Sequence, residues 1–137
     1  MVWSCLVSIL PGMAQTEKLT DYVNPFVGTD GYGNVYPGAQ IPFGGIQISP
    51  DTDSRFYDAA SGYKYNHLTL MGFSLTHLSG TGIPDLGDFL FIPGTGEMKL
   101  EPGTHEDPDQ GYRSRYSHDK EWASPNYYAV ELADYGV

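Results

Sequence analysis

Apolar and polar positions alternate along this chain in short runs, broken by glycine, proline and aspartate. FGGIQIS (Phe43–Ser49) alternates apolar with small or polar side chains, the period-two signature of a half-buried strand. LTLMGFSL (Leu68–Leu75) and DFLFIPG (Asp88–Gly94) are denser apolar runs and predict buried strands. YRSRYSHD (Tyr112–Asp119) sets tyrosines on one side and basic or hydroxyl residues on the other. YYAVELADYGV (Tyr127–Val137) predicts a further strand, with a helical turn over VELADY as the alternative. No long stretch carries a clean 3.6-residue period. The pattern therefore predicts an all-β chain, an antiparallel β-sandwich. The strands are fewer than a sandwich needs to cover both sheet faces, so the expectation is an incomplete domain over 15–137, part of something longer.

Composition supports this class. Eleven tyrosines, 17 glycines and ten prolines in 137 residues combine strand-forming aromatics with turn formers. The formal net charge of −10, with seven Lys and Arg in all, leaves no basic footprint for nucleic acid or an anionic membrane surface. A neutral or cationic partner fits better. The opening MVWSCLVSILPGMAQ is uncharged, with a short apolar core and a small-residue ending, which predicts a secretory signal over residues 1–14 cleaved near Ala14. It lacks a basic start, and it is too short to span a bilayer. The expected location is extracytoplasmic, periplasmic or secreted. Cys5 is the only cysteine, so a chain without this segment has no thiol for disulfide, nucleophile or ligand.

Several chemistries are excluded by spacing. The glycine-rich GTDGYGNVYPG (Gly28–Gly38) has no Gly-Lys-Ser/Thr, and Pro37 blocks the helix that a dinucleotide loop requires, which leaves a surface turn or a neutral-ligand loop. Asp51-Thr-Asp53 and Asp107-Pro-Asp109 lack the further ligands of an EF-hand calcium loop. The four histidines show no short zinc spacing. Ser79 lies in L-S-G-T-G rather than G-x-S-x-G, and although His77 precedes it by two with Asp85 or Asp88 as a third group, hydrolysis by Ser79 is disfavoured.

Carbohydrate chemistry explains more of the pattern. Sugars present apolar CH faces to aromatic rings and hydroxyls to carboxylates, Arg, His, Ser and Thr. In DTDSRFYDAASGYKY, Phe56 and Tyr57 sit among Asp51, Asp53, Arg55 and Asp58. Tyr57, in a loop, is read as a ligand group, whereas Tyr63 and Tyr65 alternate and are read as packing partners.

The order of motifs then carries a resemblance. DYVNPFVGTDGYGNVYPGAQIPFGGIQISPDT (Asp21–Thr52), SGYKY (Ser61–Tyr65), GFSLTHLSGTG (Gly72–Gly82), DLGDFLFIPG (Asp85–Gly94) and YRSRYSHDKEWASPNYYAVELADYGV (Tyr112–Val137) resemble the N-terminal domain of glycoside hydrolase family 92. That family comprises calcium-dependent exo-acting α-mannosidases. The resemblance implies a β-sandwich packed on a C-terminal (α/α)6 barrel that this chain lacks, with the active site between them. It implies inverting hydrolysis by a carboxylic acid and a carboxylate base, with calcium binding mannose hydroxyls. The acid, the base and the main calcium ligands belong to the missing domain, so no residue here inherits a catalytic role and the fragment alone is expected to be inactive. The implied partners are mannose-containing glycans and the barrel domain. This domain should supply one wall of the pocket, with Arg55, Tyr57, His77, Ser79, Thr81 and Asp85 as substrate-binding candidates and Gly80 and Gly82 permitting a close turn. Three positions depart from common family residues: Leu75 and Lys64 stand where His is frequent, and Tyr57 where Trp is frequent. Lys64 is expected to be exposed. The competing readings are a stand-alone carbohydrate-binding module and a truncated product without function.

Overall fold

The computed structural model describes residues 17–137 apart from positions 41, 42, 54, 56, 81 and 86 and the side chain of Asp58. The expected signal segment, Cys5, Phe56 and the candidate Thr81 lie outside the described residues. Six short strands pair in three antiparallel ladders. β1 (Ser49–Asp51) pairs with β3 (Gly72–Ser74), β2 (Thr69–Leu70) with β4 (Ser114–Arg115), and β5 (Glu121–Ser124) with β6 (Tyr127–Val130). Isolated bridges join Ala39 to Ile48 and Phe73 to Phe91. The helical pieces among the described residues are short 3-10 turns, so the domain is all-β and antiparallel as the periodicity predicts.

The strands are shorter than the apolar runs that predict them, and each shortfall has a local cause. In Phe43–Ser49, Gly44 takes a left-handed φ of +63° and donates its N–H back to Gln40, so pairing starts only at Ile48. In Asp88–Gly94, Asp88 is left-handed, and only Phe91 exchanges backbone bonds with Phe73, at 2.8 and 2.9 Å. In Tyr112–Asp119, the Ser117 hydroxyl accepts the Asp119 N–H and opens a 3-10 turn. In Tyr127–Val137 the strand stops at Val130, because Tyr135 and Gly136 both donate to the Leu132 carbonyl and fold the end back. That turn swings Leu132 into the apolar core with Leu70 and Tyr116, flanked by Phe73, Ile92, Val130 and Tyr135. β5 is not signalled by any apolar run, since its inward residue is Glu121 and its outward residue Trp122.

Much of the rest of the interior is polar. Glu121 is buried and accepts hydrogen bonds from the Tyr63 hydroxyl at 2.8 Å and from the Tyr128 hydroxyl, while its other oxygen lies 2.6 Å from His118 Nδ1. His118 Nε2 meets the Tyr65 carbonyl at 2.6 Å, and the two rings stack at 3.9 Å. Tyr63 is buried and the exposed Tyr65 stacks on His118, both outside any strand. Burial, then the Glu121 charge and neighbouring tyrosines, push the Tyr63 and Tyr128 hydroxyls far above the ordinary tyrosine range, and burial and Glu121 push Tyr116 up against an opposing hydrogen bond with Tyr63. A raised folded-state pKa favours the protonated hydroxyl in the fold. Its contribution is complete below the unfolded value of about 10 and is lost as pH climbs toward the folded values. Urea midpoints are therefore expected to fall steeply above about pH 10, and Tyr128→Phe, which keeps the ring but cannot ionise, should make that fall shallower.

Candidate functional site

A cavity of about 360 Å³ opens over the β1–β3 ladder, and its polar lining includes Asp51, Ser74, Thr76, His77, Asp85 and Asp88. The ladder sets its floor. Register places Asp51 opposite Gly72, and the Ser74 N–H donates to Asp51 Oδ2 at 2.8 Å. His77 follows three residues later, buried. Its Nδ1 lies 2.8 Å from the Gln47 carbonyl, which can only accept, so Nδ1 carries a proton. Its Nε2 lies 3.0 Å from both Asp51 Oδ1 and Ser74 Oγ. Tyr36 covers the ring, with centroids 4.9 Å apart.

This geometry is not that of a nucleophile triad. There the acid and the nucleophile occupy opposite nitrogens of the imidazole; here both share Nε2 while Nδ1 is given to backbone. Ser74 is held rather than activated. The arrangement fixes one buried carboxylate at the cavity floor. Gly62 makes room for it: with φ at +86°, a Cβ there would sit 2.2 Å from Asp51 Oδ1 and 3.0 Å from His77 Cδ2.

At the rim, Thr76 binds the turn opposite. Its hydroxyl donates to Asp88 Oδ2 at 2.7 Å, and its carbonyl accepts the Gly87 N–H at 2.9 Å. Asp88 has a φ of +26°, a costly conformation for a residue with a side chain, and it holds a carboxylate beside the exposed Asp85. The cavity therefore offers carboxylate and hydroxyl acceptors and donors, with no Lys or Arg in its lining.

A second polar group lies on the loop after β1. Asp53 is fully buried and clasps Arg55 with both oxygens, Oδ1 to Nε at 3.0 Å and Oδ2 to Nη2 at 2.7 Å, and also accepts the Arg55 backbone N–H at 2.9 Å. Burial opposes its ionisation, but the neighbouring His105 and Arg55 outweigh that and hold the carboxyl far below its usual range. Tyr57 opens the turn Tyr57–Ala59 and is exposed. Its ring lies so close to Gly82 that a Cβ at that position would come 1.9 Å from it. Tyr32, exposed on the glycine-rich loop, stands 6.2 Å away.

The sequence candidates thus fall into three groups. His77 and Asp85 line the cavity. Arg55 and Tyr57 sit on the adjoining loop and are not part of that lining. Ser79 is exposed outside the lining, while Thr81 lies outside the described residues. Gly80 takes the left-handed φ of +73° expected of a close turn, and Gly82 is required instead by the Tyr57 ring. Lys64 corrects an expectation: it is buried, and its ammonium donates to the Gly31 carbonyl at 2.9 Å, tying down the glycine-rich loop. Asp51, Ser74 and Gln47 escape sequence reasoning as partners of His77, because the register that gathers them spans up to 30 residues. Among the described residues no group of three or more His, Cys, Asp or Glu side chains could hold a metal ion. No described helix is long and apolar enough to cross a membrane.

Comparison with known proteins agrees with this picture. The family model for the glycosyl hydrolase family 92 N-terminal domain matches residues 22–137. A solved family 92 glycosyl hydrolase is 34% identical, with a TM-score of 0.67, the match covering 82% of this chain and 14% of that one. A solved family 92 inverting mannosidase of Bacteroides thetaiotaomicron is 22% identical, with a TM-score of 0.55 over 88% of this chain and 16% of that one, and speaks for the fold alone. An uncharacterized secreted glycosidase of Arthroderma benhamiae is 36% identical over 73 residues, 53% of this chain and 9% of that protein. The chain spans well under a fifth of the length of each of these relatives.

Proposed function

The chain belongs to glycosyl hydrolase family 92, through its N-terminal domain, and from that premise we propose that it forms the substrate-side wall of an inverting exo-α-mannosidase that trims mannose from glycans. The observation that carries this reading is the open cavity built on the buried Asp51–His77–Ser74 floor. A neutral sugar presents hydroxyls that such a lining satisfies: Asp85 and Asp88 accept, and Thr76, whose proton goes to Asp88, accepts. The floor residues are assigned no proton transfer in the reaction. His77 uses both nitrogens within the protein, so its part is to hold Asp51 in place. Arg55 and Tyr57 extend the wall on the adjoining loop, where Tyr57 can stack on a pyranose face.

The acid and base of the inverting reaction, and the calcium that the resemblance implies, are placed in the remaining part of a longer parent protein, the (α/α)6 barrel domain that would close the cavity from the other side. No residue described here is assigned to them. An extracytoplasmic location is supported by the relative described as a secreted glycosidase. The test uses the parent polypeptide. Asp85 is exposed at the rim, so Asp85→Ala should leave folding intact and lower kcat/KM for an α-mannoside about ten- to hundredfold, the worth of a hydrogen bond to a charged group. Asp119→Ala, exposed in the turn His118–Lys120, should leave it unchanged. An unaltered kcat/KM in Asp85→Ala would remove this cavity from the substrate path.

A further inference from the structure

Arg113 is buried to 2% exposure, yet among the described residues neither its Nε nor its Nη2 has a hydrogen-bond partner. Orphaned donors on a buried guanidinium are costly and call for a reason. Its hydrogen bonds pass through Nη1: to the Thr52 carbonyl, to Thr69 Oγ1 at 3.2 Å, and to His105 Nδ1 at 3.4 Å. Thr69 Oγ1 also lies 2.7 Å from His105 Nδ1. The other side of His105 faces Asp53: Nε2 is 3.2 Å from Asp53 Oδ2, within ion-pair reach but off the line of a straight hydrogen bond.

One arrangement of the neutral ring satisfies all of these contacts. A guanidinium can only donate. Thr69 Oγ1 accepts from Arg113 and still has its own proton to direct at His105 Nδ1. With an arginine N–H and a threonine O–H both aimed at it, Nδ1 must be the acceptor. The ring proton then sits on Nε2, the nitrogen that faces the carboxylate. The opposite tautomer would set a proton against the Arg113 N–H at one end and a lone pair against Asp53 at the other.

We infer that Arg113, with Thr69, is a positioning residue that fixes the tautomer of His105 so that its Nε2–H supports Asp53, and through Asp53 the orientation of Arg55 on the loop adjoining the cavity. The chain of contacts runs from the β4 side to the surface in the order Arg113, Thr69, His105, Asp53, Arg55. Asp53 has both oxygens committed to Arg55, so a shift of Asp53 moves the whole fork. The inference rests on the proposed function only for what Arg55 then touches. The positioning itself is independent of sugar.

The test is a long-range proton–nitrogen correlation spectrum of the ¹⁵N-labelled full chain near neutral pH, with His105→Asn assigning the His105 signals. The expected result is a single His105 tautomer protonated at Nε2, together with a protected Arg55 Nε–H signal. Arg113→Met should convert His105 to a mixture and remove the Arg55 protection, while the Arg115 signals, paired with Asp109 and Asp134 elsewhere, stay in place. Arg113→Lys, which still only donates, should restore the tautomer. Where Arg113→Met does not fold, Thr69→Val tests the same relay from the Nδ1 side, and the wild-type spectrum alone is already decisive. A His105 protonated at Nδ1 in the wild type, or a tautomer unmoved in the folded variants, overturns the inference. Loss of glycan recognition with the Nε2–H tautomer intact would count against the functional reading and not against this one.

Discussion

Glu121→Ala is expected to cost the domain about 3–5 kcal/mol, the scale of breaking a buried charged pair by removing one partner. Three groups lose their acceptor together: the Tyr63 and Tyr128 hydroxyls and His118 Nδ1. The loss reaches beyond β5, because Tyr63 follows directly on Ser61 and Gly62, which line the cavity. Glu121→Gln should cost less, about 1–3 kcal/mol. It keeps an oxygen for the tyrosines and turns an NH2 toward His118. Since Nε2 must donate to the Tyr65 carbonyl, a neutral His118 can accept at Nδ1. Urea denaturation of the two variants measures the difference. Equal losses would mean that packing volume, not acceptor chemistry, is what Glu121 contributes.

Gly62→Ala is expected to cost about 2–6 kcal/mol, from two additive sources. A φ of +86° strains any residue with a side chain, by about 1–3 kcal/mol. The added methyl also falls 2.2 Å from Asp51 Oδ1, which cannot yield without leaving His77 Nε2, and such overpacking costs about 1–3 kcal/mol. The comparison that isolates the second source is Gly80→Ala. Gly80 has a similar φ of +73°, but nothing lies within 4 Å of the point where a Cβ would stand, so strain alone should act there. If both variants lost the same stability, the contact with the Asp51–His77 pair would carry no energy, and the cavity floor would be softer than its hydrogen bonds indicate.

The class of the fold is legible in the sequence because period-two alternation is a local property. Strand lengths are not. Gly44, Asp88, Ser117 and Gly136 each break a run through backbone conformation or a cap, and these act against an apolar pattern that continues past them. His77 is legible as a polar candidate after an apolar run, but its partner is not. Asp51 lies 26 residues earlier, and only the antiparallel register of β1 and β3 brings the two together. Lys64 misleads for the same reason. Its neighbours in sequence suggest surface, whereas the carbonyl that receives its ammonium is 33 residues away. β5 stays hidden because the residue it buries is a glutamate, and a buried charge becomes intelligible only once its tyrosine and histidine partners are known.

The central claim is that this domain shapes a mannoside pocket whose reacting groups lie elsewhere in a longer protein. The most direct measurement is hydrolysis of an aryl α-mannoside, with calcium present, by the 137-residue chain and by the parent polypeptide side by side. The expected result is no turnover by the chain alone and hydrolysis with inversion by the parent. Turnover by the isolated chain, abolished by a substitution within it, would contradict the claim and place the catalytic groups among the residues described here.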